Sequence, residues 1–234
     1  MDSKIIAHRG ASGLVEFDNS IESFKKAIEL GADMVEFDVR RTKDDVLIAF
    51  HDPFLNDKKI SELEYKEILE KTKREGYKVP TVKEVVKLCK GKIDLDIELK
   101  EKGYEKELIQ LVVPQLDYDE FMMKSFKDEV VKSINELDPK IETGLILGVE
   151  EPENKIFTRL SELFPKCRLK RCEADFVCPN HRLLKLFFLK RMDLSDLDVY
   201  VWTVNDGDLM KKLVQKQVKG IITDRPDIAL QIRE

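Results

Sequence analysis

Residues 34–52 read MVEFDVRRTKDDVLIAFHD, and the reading of this stretch decides the fold. Two apolar runs, Asp33 to Arg40 and Val46 to Phe50, flank the turn-forming Lys43-Asp44-Asp45. No helix fits between them, so the pair reads as a β-hairpin rather than a β-α unit. Strand alternation puts Glu36 and Asp38 on one face. With the turn centred on Asp44-Asp45, residue 43 pairs with 46 and His51 falls opposite Asp38. The hairpin is therefore expected to gather Glu36, Asp38 and His51 at one end of a sheet.

Outward from the hairpin, strand-like and helical patterns alternate. A first strand carries Ile5-Ile6-Ala7 and ends in His8-Arg9-Gly10. Ser20 can cap a helix holding Ile21, Phe24, Ala27 and Ile28, which Gly31 stops. Further strands are expected near 93–99, 121–126, 142–147, 175–179, 198–204 and 219–223, with helices at 81–89, 104–113, 127–136, 155–163, 181–190 and 207–216. With the hairpin arm set aside the strands number eight, and alternating β and α units of that number argue for a closed (β/α)8 TIM barrel. The expectation is one α/β domain over 1–234, with a β-hairpin after the second strand and a short charged insertion at about 52–80, helical from Ser61 to Lys73. A doubly wound open sheet is the alternative.

Composition fits a globular protein with a heavily charged surface: 234 residues, 42% hydrophobic, 37% charged, net charge −5. That charge offers no whole-chain attraction to nucleic acid. No apolar run approaches the ~18 residues of a membrane span, and no basic start leads into an apolar stretch, so no signal peptide is expected. Cys167, Cys172 and Cys178 lie near His181 but lack a Cys-x-x-Cys pair, so reduced thiols in a cytoplasmic protein are expected rather than a zinc site. Leu183 to Leu189 reads as a helix apolar nearly all round, flanked by Arg182, Lys190 and Arg191. The excess apolar surface suits a homodimer contact, a membrane-surface contact, or burial under a neighbouring loop.

Ionisable residues at the ends of apolar strands are where parallel α/β enzymes keep their chemistry. Glu36 and Asp38, with Asp96 or Glu98 from the strand at 93–99, are hard oxygen ligands suited to Mg²⁺ or Ca²⁺. A divalent cation removes the repulsion among such carboxylates. His8 and His51 are the acid–base candidates, because imidazole titrates near neutrality and can take or give a proton. Arg9 and Lys100 can stabilise negative charge that develops in a transition state. Trp202 ends a strand and can wall an apolar part of a substrate.

The ordered set His8-Arg9-Gly10, Glu36-Phe37-Asp38, His51-Asp52, Ile97-Glu98-Leu99-Lys100, Trp202-Thr203-Val204-Asn205 and Gly220 to Pro226 resembles the glycerophosphodiester phosphodiesterase family. The resemblance implies the barrel fold, Glu98 rather than Asp96 as third metal ligand, acid–base roles for His8 and His51, and a substrate-side role for Asn19. It implies metal-dependent hydrolysis to glycerol 3-phosphate and an alcohol through attack of the neighbouring glycerol hydroxyl and a cyclic phosphate. Two departures stand out. The family's Glu-Asn-Thr is replaced by Glu16-Phe17-Asp18-Asn19-Ser20, with one extra loop residue, leaving open whether Glu16 or Asp18 reaches the site. The insertion is also shortened. The alternatives are a lysophospholipase D-like enzyme and a phosphodiester-binding protein without turnover.

Overall fold

The computed structural model describes residues 3–148 and 155–233. In chain order the strands are β1 (Lys4–Ala7), β2 (Met34–Arg41), β3 (Leu47–Ala49), the two-residue β4 (Phe54–Leu55) and β5 (Lys58–Lys59), β6 (Asp94–Leu99), β7 (Phe121–Ser125), β8 (Glu142–Leu147), β9 (Phe176–Pro179), β10 (Asp198–Val201) and β11 (Gly220–Thr223). The helices are α1 (Ile21–Leu30), α2 (Tyr65–Arg74), α3 (Val82–Cys89), α4 (Glu105–Val112), α5 (Asp128–Leu137), α6 (Lys155–Leu163), α7 (Lys166–Cys172), α8 (Phe188–Asp193), α9 (Gly207–Gln215) and α10 (Pro226–Arg233). β1, β2 and β6 to β11 pair in parallel, and β1 joins both β2 and β11, so eight strands close into the expected (β/α)8 barrel.

Two large apolar clusters lie between the strands and the surrounding helices. A third, with Ile6, Met34, Met122, Ile146, Phe176, Cys178, Tyr200 and Ile222, comes from the alternate, inward-facing strand positions. Two glycines make room for its rings. A Cβ at Gly144 would sit 2.0 Å from the Phe176 ring, and one at Gly220 would sit 2.5 Å from Tyr200. α1 begins and ends as its sequence dictates: Ser23 N–H donates to Ser20 Oγ at 3.0 Å, and Gly31 takes φ 76 at the C-terminus.

The hairpin departs from expectation by one residue. Val39 faces Ala49 and Arg41 faces Leu47, and Phe50 N–H donates to the Asp38 carbonyl at 3.0 Å. Phe50, not His51, is opposite Asp38. The loop holds three residues, Lys43 to Asp45, closed by Thr42 N–H on the Val46 carbonyl at 3.0 Å, with Asp45 at φ 60. A left-handed third residue is how three-residue hairpin loops keep the strands' twist. The insertion contains the β4–β5 hairpin, turned by Asn56 and Asp57 at φ 51 and 65, and then α2. Its core of Leu55, Ile60, Leu63, Ile68 and Val79 packs on Ile48.

The helix expected over 181–190 is a second correction. Asn180 caps a single 3-10 turn at His181–Leu183, and the α-helix starts only at Phe188 because Leu186 and Phe187 take left-handed backbone, φ 51 and 59. Leu183 and Phe188 are buried while Phe187 is 81% exposed. α7 and α10 were not expected from periodicity; α10 opens on Pro226, whose missing N–H costs nothing at a helix start.

Gly144→Ala should destabilise the fold by about 1–3 kcal/mol, because the new methyl meets an aromatic ring inside a filled barrel. A lower urea midpoint with unchanged slope checks this; an unchanged midpoint would mean that Phe176 swings clear.

Candidate active site

The carboxylates come from inward-facing positions of two adjacent strands. β2 and β6 pair with Glu36 beside Asp96 and Asp38 beside Glu98. One carboxylate oxygen each from Glu36, Asp38 and Glu98 lies within 4.8 Å of the other two, and all three residues are buried. Two oxygens on one Ca²⁺ at about 2.3–2.6 Å can be no more than about 5 Å apart, so the spacing and the all-oxygen donor set fit a hard divalent cation. Burial raises the carboxyl pKa of Glu36 and of Glu98; Lys124 and Lys100 respectively oppose this, and Asp38 adds repulsion to both. Among the described residues no other His, Cys, Asp or Glu trio is so gathered, and all four cysteines are free thiols.

Asp96, the competing candidate ligand, lies outside this trio, with one oxygen held by Lys124 and the other buried without a hydrogen bond. Lys124 Nζ lies 2.5 Å from Asp96 and 3.8 Å from Glu36, with Lys124 only 2% exposed. Sequence reasoning missed Lys124, because a lone lysine in a strand reads as solvated. The signal lay in the register, which places Glu98 beside Lys124. Lys100 Nζ reaches Asp38 at 2.7 Å and Glu98 at 2.5 Å. Burial opposes ionisation of Asp38, but the charges of Lys100, Arg9 and His51 hold it well below the usual carboxylate range.

The β1–α1 loop turns sharply after His8. Arg9 and Gly10 are both left-handed, φ 52 and 79, and a Cβ on Gly10 would lie 2.6 Å from the Ser23 backbone carbon, so only glycine fits. This turn aims the Arg9 N–H at Glu36 Oε2, 2.9 Å away. The Arg9 guanidinium meets Asp18 at 2.9 Å and Asp38 at 3.3 Å. Of the two open loop acids it is therefore Asp18 that reaches Arg9. Asn19, the expected substrate-side residue, lines the cavity beside His8 and Arg9 and braces Asp38: Nδ2 donates to Asp38 Oδ2 at 2.8 Å, and Oδ1 accepts from Asp38 N–H at 3.2 Å.

His8 Nδ1 lies 2.6 Å from Asp224 Oδ1, and Asp224 is held in turn by Ser12 Oγ and Asn205 Nδ2. Burial opposes the imidazolium, yet the Asp224 hydrogen bond and the charge of Glu36 raise the His8 pKa overall. Asp224 itself is brought down to about 2, burial being outweighed by the His8 and Asn205 contacts. Asp224 was not assigned a role from sequence, although it sits in one of the quoted motifs. His51 follows β3, its carbonyl accepting from Arg40 Nε at 2.7 Å and its Nδ1 lying 2.7 Å from Asp52. Its pKa is lowered, first by burial and then by the charge of Lys100, with Asp38 opposing. Trp202 Nε1 donates to the Cys178 carbonyl at 2.8 Å, and its ring meets Phe126 edge-on at 5.5 Å. Ser125 donates to the Leu99 carbonyl at 2.8 Å and is a structural group.

This constellation has relatives. The chain matches the glycerophosphoryl diester phosphodiesterase family over residues 8–228. It is 31% identical to YhdW of Bacillus subtilis, provisionally named a glycerophosphodiester phosphodiesterase, over 97% of this chain and 96% of that protein. It is 28% identical to the glycerophosphodiester phosphodiesterase of Caldanaerobacter subterraneus, over 99% and 98%. Among solved structures, a glycerophosphodiester phosphodiesterase from Parabacteroides distasonis superposes with TM-score 0.81 at 27% identity, covering 99% of this chain and 97% of that one. Fold, motif order and these likenesses agree: the chain belongs to the glycerophosphoryl diester phosphodiesterase family.

Proposed function

We propose that this protein hydrolyses glycerophosphodiesters to glycerol 3-phosphate and an alcohol, by acid–base catalysis at a site that takes a divalent cation, Mg²⁺ or Ca²⁺. The observation that carries the reading is the Glu36, Asp38 and Glu98 cluster within 4.8 Å, with two histidines tuned in opposite directions beside it. Glu36, Asp38 and Glu98 would hold the cation, which when bound supplies Lewis acidity and charge neutralisation at the phosphoryl group.

The side chains divide the remaining work. His51, its pKa lowered by burial and by the charge of Lys100, takes the proton from the glycerol hydroxyl next to the phosphate, and that oxygen attacks phosphorus. His8, its pKa raised through Asp224 against burial, gives its proton to the departing alcohol oxygen. Water then opens the five-membered cyclic phosphate with the roles reversed, His8 accepting the water's proton and His51 returning one to the glycerol oxygen. Arg9 and Lys100 stabilise the charge that grows on the phosphoryl oxygens, and Trp202 walls the glycerol. Four free thiols support a cytoplasmic location. A lysophospholipase D-like activity is the second reading, favoured by Leu186 and Phe187, 61% and 81% exposed in the loop after β9. The presence of both histidines beside the three carboxylates argues against a mere binding role.

Glycerol 3-phosphate should appear from glycerophosphocholine with Mg²⁺ or Ca²⁺ and stop with EDTA. Release from lysophosphatidylcholine at an equal rate would favour the second reading, and no release from any diester under either metal would sink the hydrolytic one. His8→Ala or His51→Ala should lower kcat by about 10² or more. The pH profile tests the assignment of acid and base. Activity should rise as His51 deprotonates and fall as pH climbs through the raised His8 pKa. Asp224→Asn removes the larger of the two groups that raise His8, so the alkaline limb should move to lower pH while the acid limb stays. Movement of the acid limb instead would reverse the two roles.

A further inference from the structure

A cavity of about 440 Å³ opens beside His8 and Arg9, between the β1–α1 loop and the insertion. It adjoins the carboxylate cluster but is not lined by it. Its distinctive walls are the rings of Phe17, Phe50 and Tyr77 and the carboxylates of Glu16 and Asp18. The Phe17 and Tyr77 rings stack, centroids 4.3 Å apart and 15° between planes. Phe17 stands in the stretch that is one residue longer than the family pattern, and Tyr77 follows α2 in the shortened insertion. The two departures from the pattern thus meet at this cavity.

The cavity's charge has a definite sign. Arg9 is already shared between Asp18 and Asp38. Glu16 is exposed and forms no ion pair with a described residue. Around the Tyr77 ring stand Glu75, Asp18 and Asp52, whose charges add to burial in pushing its phenol up to about 12. Aromatic faces attract cations through the ring quadrupole, and nearby carboxylates add to that attraction.

We propose that this cavity is a head-group subsite that selects glycerophosphodiesters whose alcohol carries an ammonium group. The proposal rests on the hydrolytic reading above, which fixes where the head group lies: His8 lines the cavity and faces the leaving oxygen, so the departing alcohol is on this side. Trp202 is not among the cavity's lining residues, which leaves it for the glycerol. A trimethylammonium or primary ammonium gains ring and carboxylate contacts there. A glycerol or inositol head group gains hydrogen bonds but no attraction of a cation to rings and carboxylates, and an anionic one is repelled.

The test compares glycerophosphocholine with its uncharged isostere, in which tert-butyl replaces trimethylammonium. Wild-type kcat/KM should favour the choline ester by about tenfold or more. Tyr77→Leu and Phe17→Leu should each cut that ratio about fivefold, Tyr77→Phe should keep it, and the exposed Glu16→Gln should cut it about threefold. Melting temperatures show that each variant folds. Equal kcat/KM for the two esters, or a ratio untouched in folded Tyr77→Leu and Glu16→Gln, overturns the subsite and leaves the hydrolytic reading standing. If neither ester is hydrolysed, the hydrolytic reading fails, and calorimetry with choline and 3,3-dimethylbutan-1-ol decides the cavity separately. Tighter choline binding, lost in Tyr77→Leu, supports it; equal or absent binding of the two overturns it.

Discussion

Glu36, Asp38, Asp96 and Glu98 stand inside the barrel, none more than 6% exposed, and the ammonium groups of Lys100 and Lys124 sit among them. Taking one such charge out of water without a partner costs several kcal/mol. Lys124 is committed to Asp96 and leans on Glu36, and Lys100 bridges Asp38 and Glu98. The two ammonium groups are outnumbered by the four carboxyl groups, an excess that a divalent cation would offset. The Arg9 guanidinium divides itself between Asp38 and Asp18, while its backbone N–H donates to Glu36. Asp96 stands outside the trio whose oxygens come together, one of its own oxygens being held by the Lys124 ammonium.

Concentrating charge in one part of the lumen requires the rest to be dry and full. Phe176 and Tyr200 meet edge-on at 4.9 Å, packed with Ile146, Cys178 and Ile222. Gly144 and Gly220 are the residues whose missing side chains admit those rings. Large rings on β9 and β10 alternate with glycines on β8 and β11, so the far side of the barrel is closed by aromatic volume. The consequence is directional. The buried ionisable side chains gather on β2, β6 and β7, and the loops that follow β1 and β3 bring His8, Arg9 and His51 beside them.

The barrel was legible because its signals are local and repeated: apolar strands, capped amphipathic helices and glycine stops. What escaped depended on geometry that no window of sequence contains. The hairpin slipped by one residue because three loop residues, with Asp45 left-handed, look the same on paper as two. The run Leu183 to Leu189 imitated a helix because its apolarity was read without regard to Leu186 and Phe187, whose left-handed backbone breaks it. Lys124 and Asp224 were passed over for a common reason. Each is ordinary beside its sequence neighbours and acquires a partner only when the barrel closes, Lys124 across to Asp96 and Asp224 across to His8. Asn19 shows the converse: its position was anticipated from the motif, but the partner it binds is Asp38.

The histidines show how one charge distribution shifts two imidazoles in opposite directions. Both rings lose solvent, which by itself disfavours the imidazolium in each. The difference lies in what replaces the solvent. His8 gains Asp224, whose second oxygen is fixed by Asn205 and whose first also accepts from Ser12, so its negative charge stays aimed at the ring. His51 has Asp52 at its Nδ1, but Asp52 is exposed and water screens it, while the charges of Lys100 and Arg9 push the other way. Lys100 and Arg9 are present because Asp38 and Glu98 are buried. The cations that offset the buried carboxylates thus add to burial in lowering the pKa of His51. Two residues of one type are shifted in opposite directions because a buried cluster is neutralised from one side, and that difference is what the proposed acid and base roles would use.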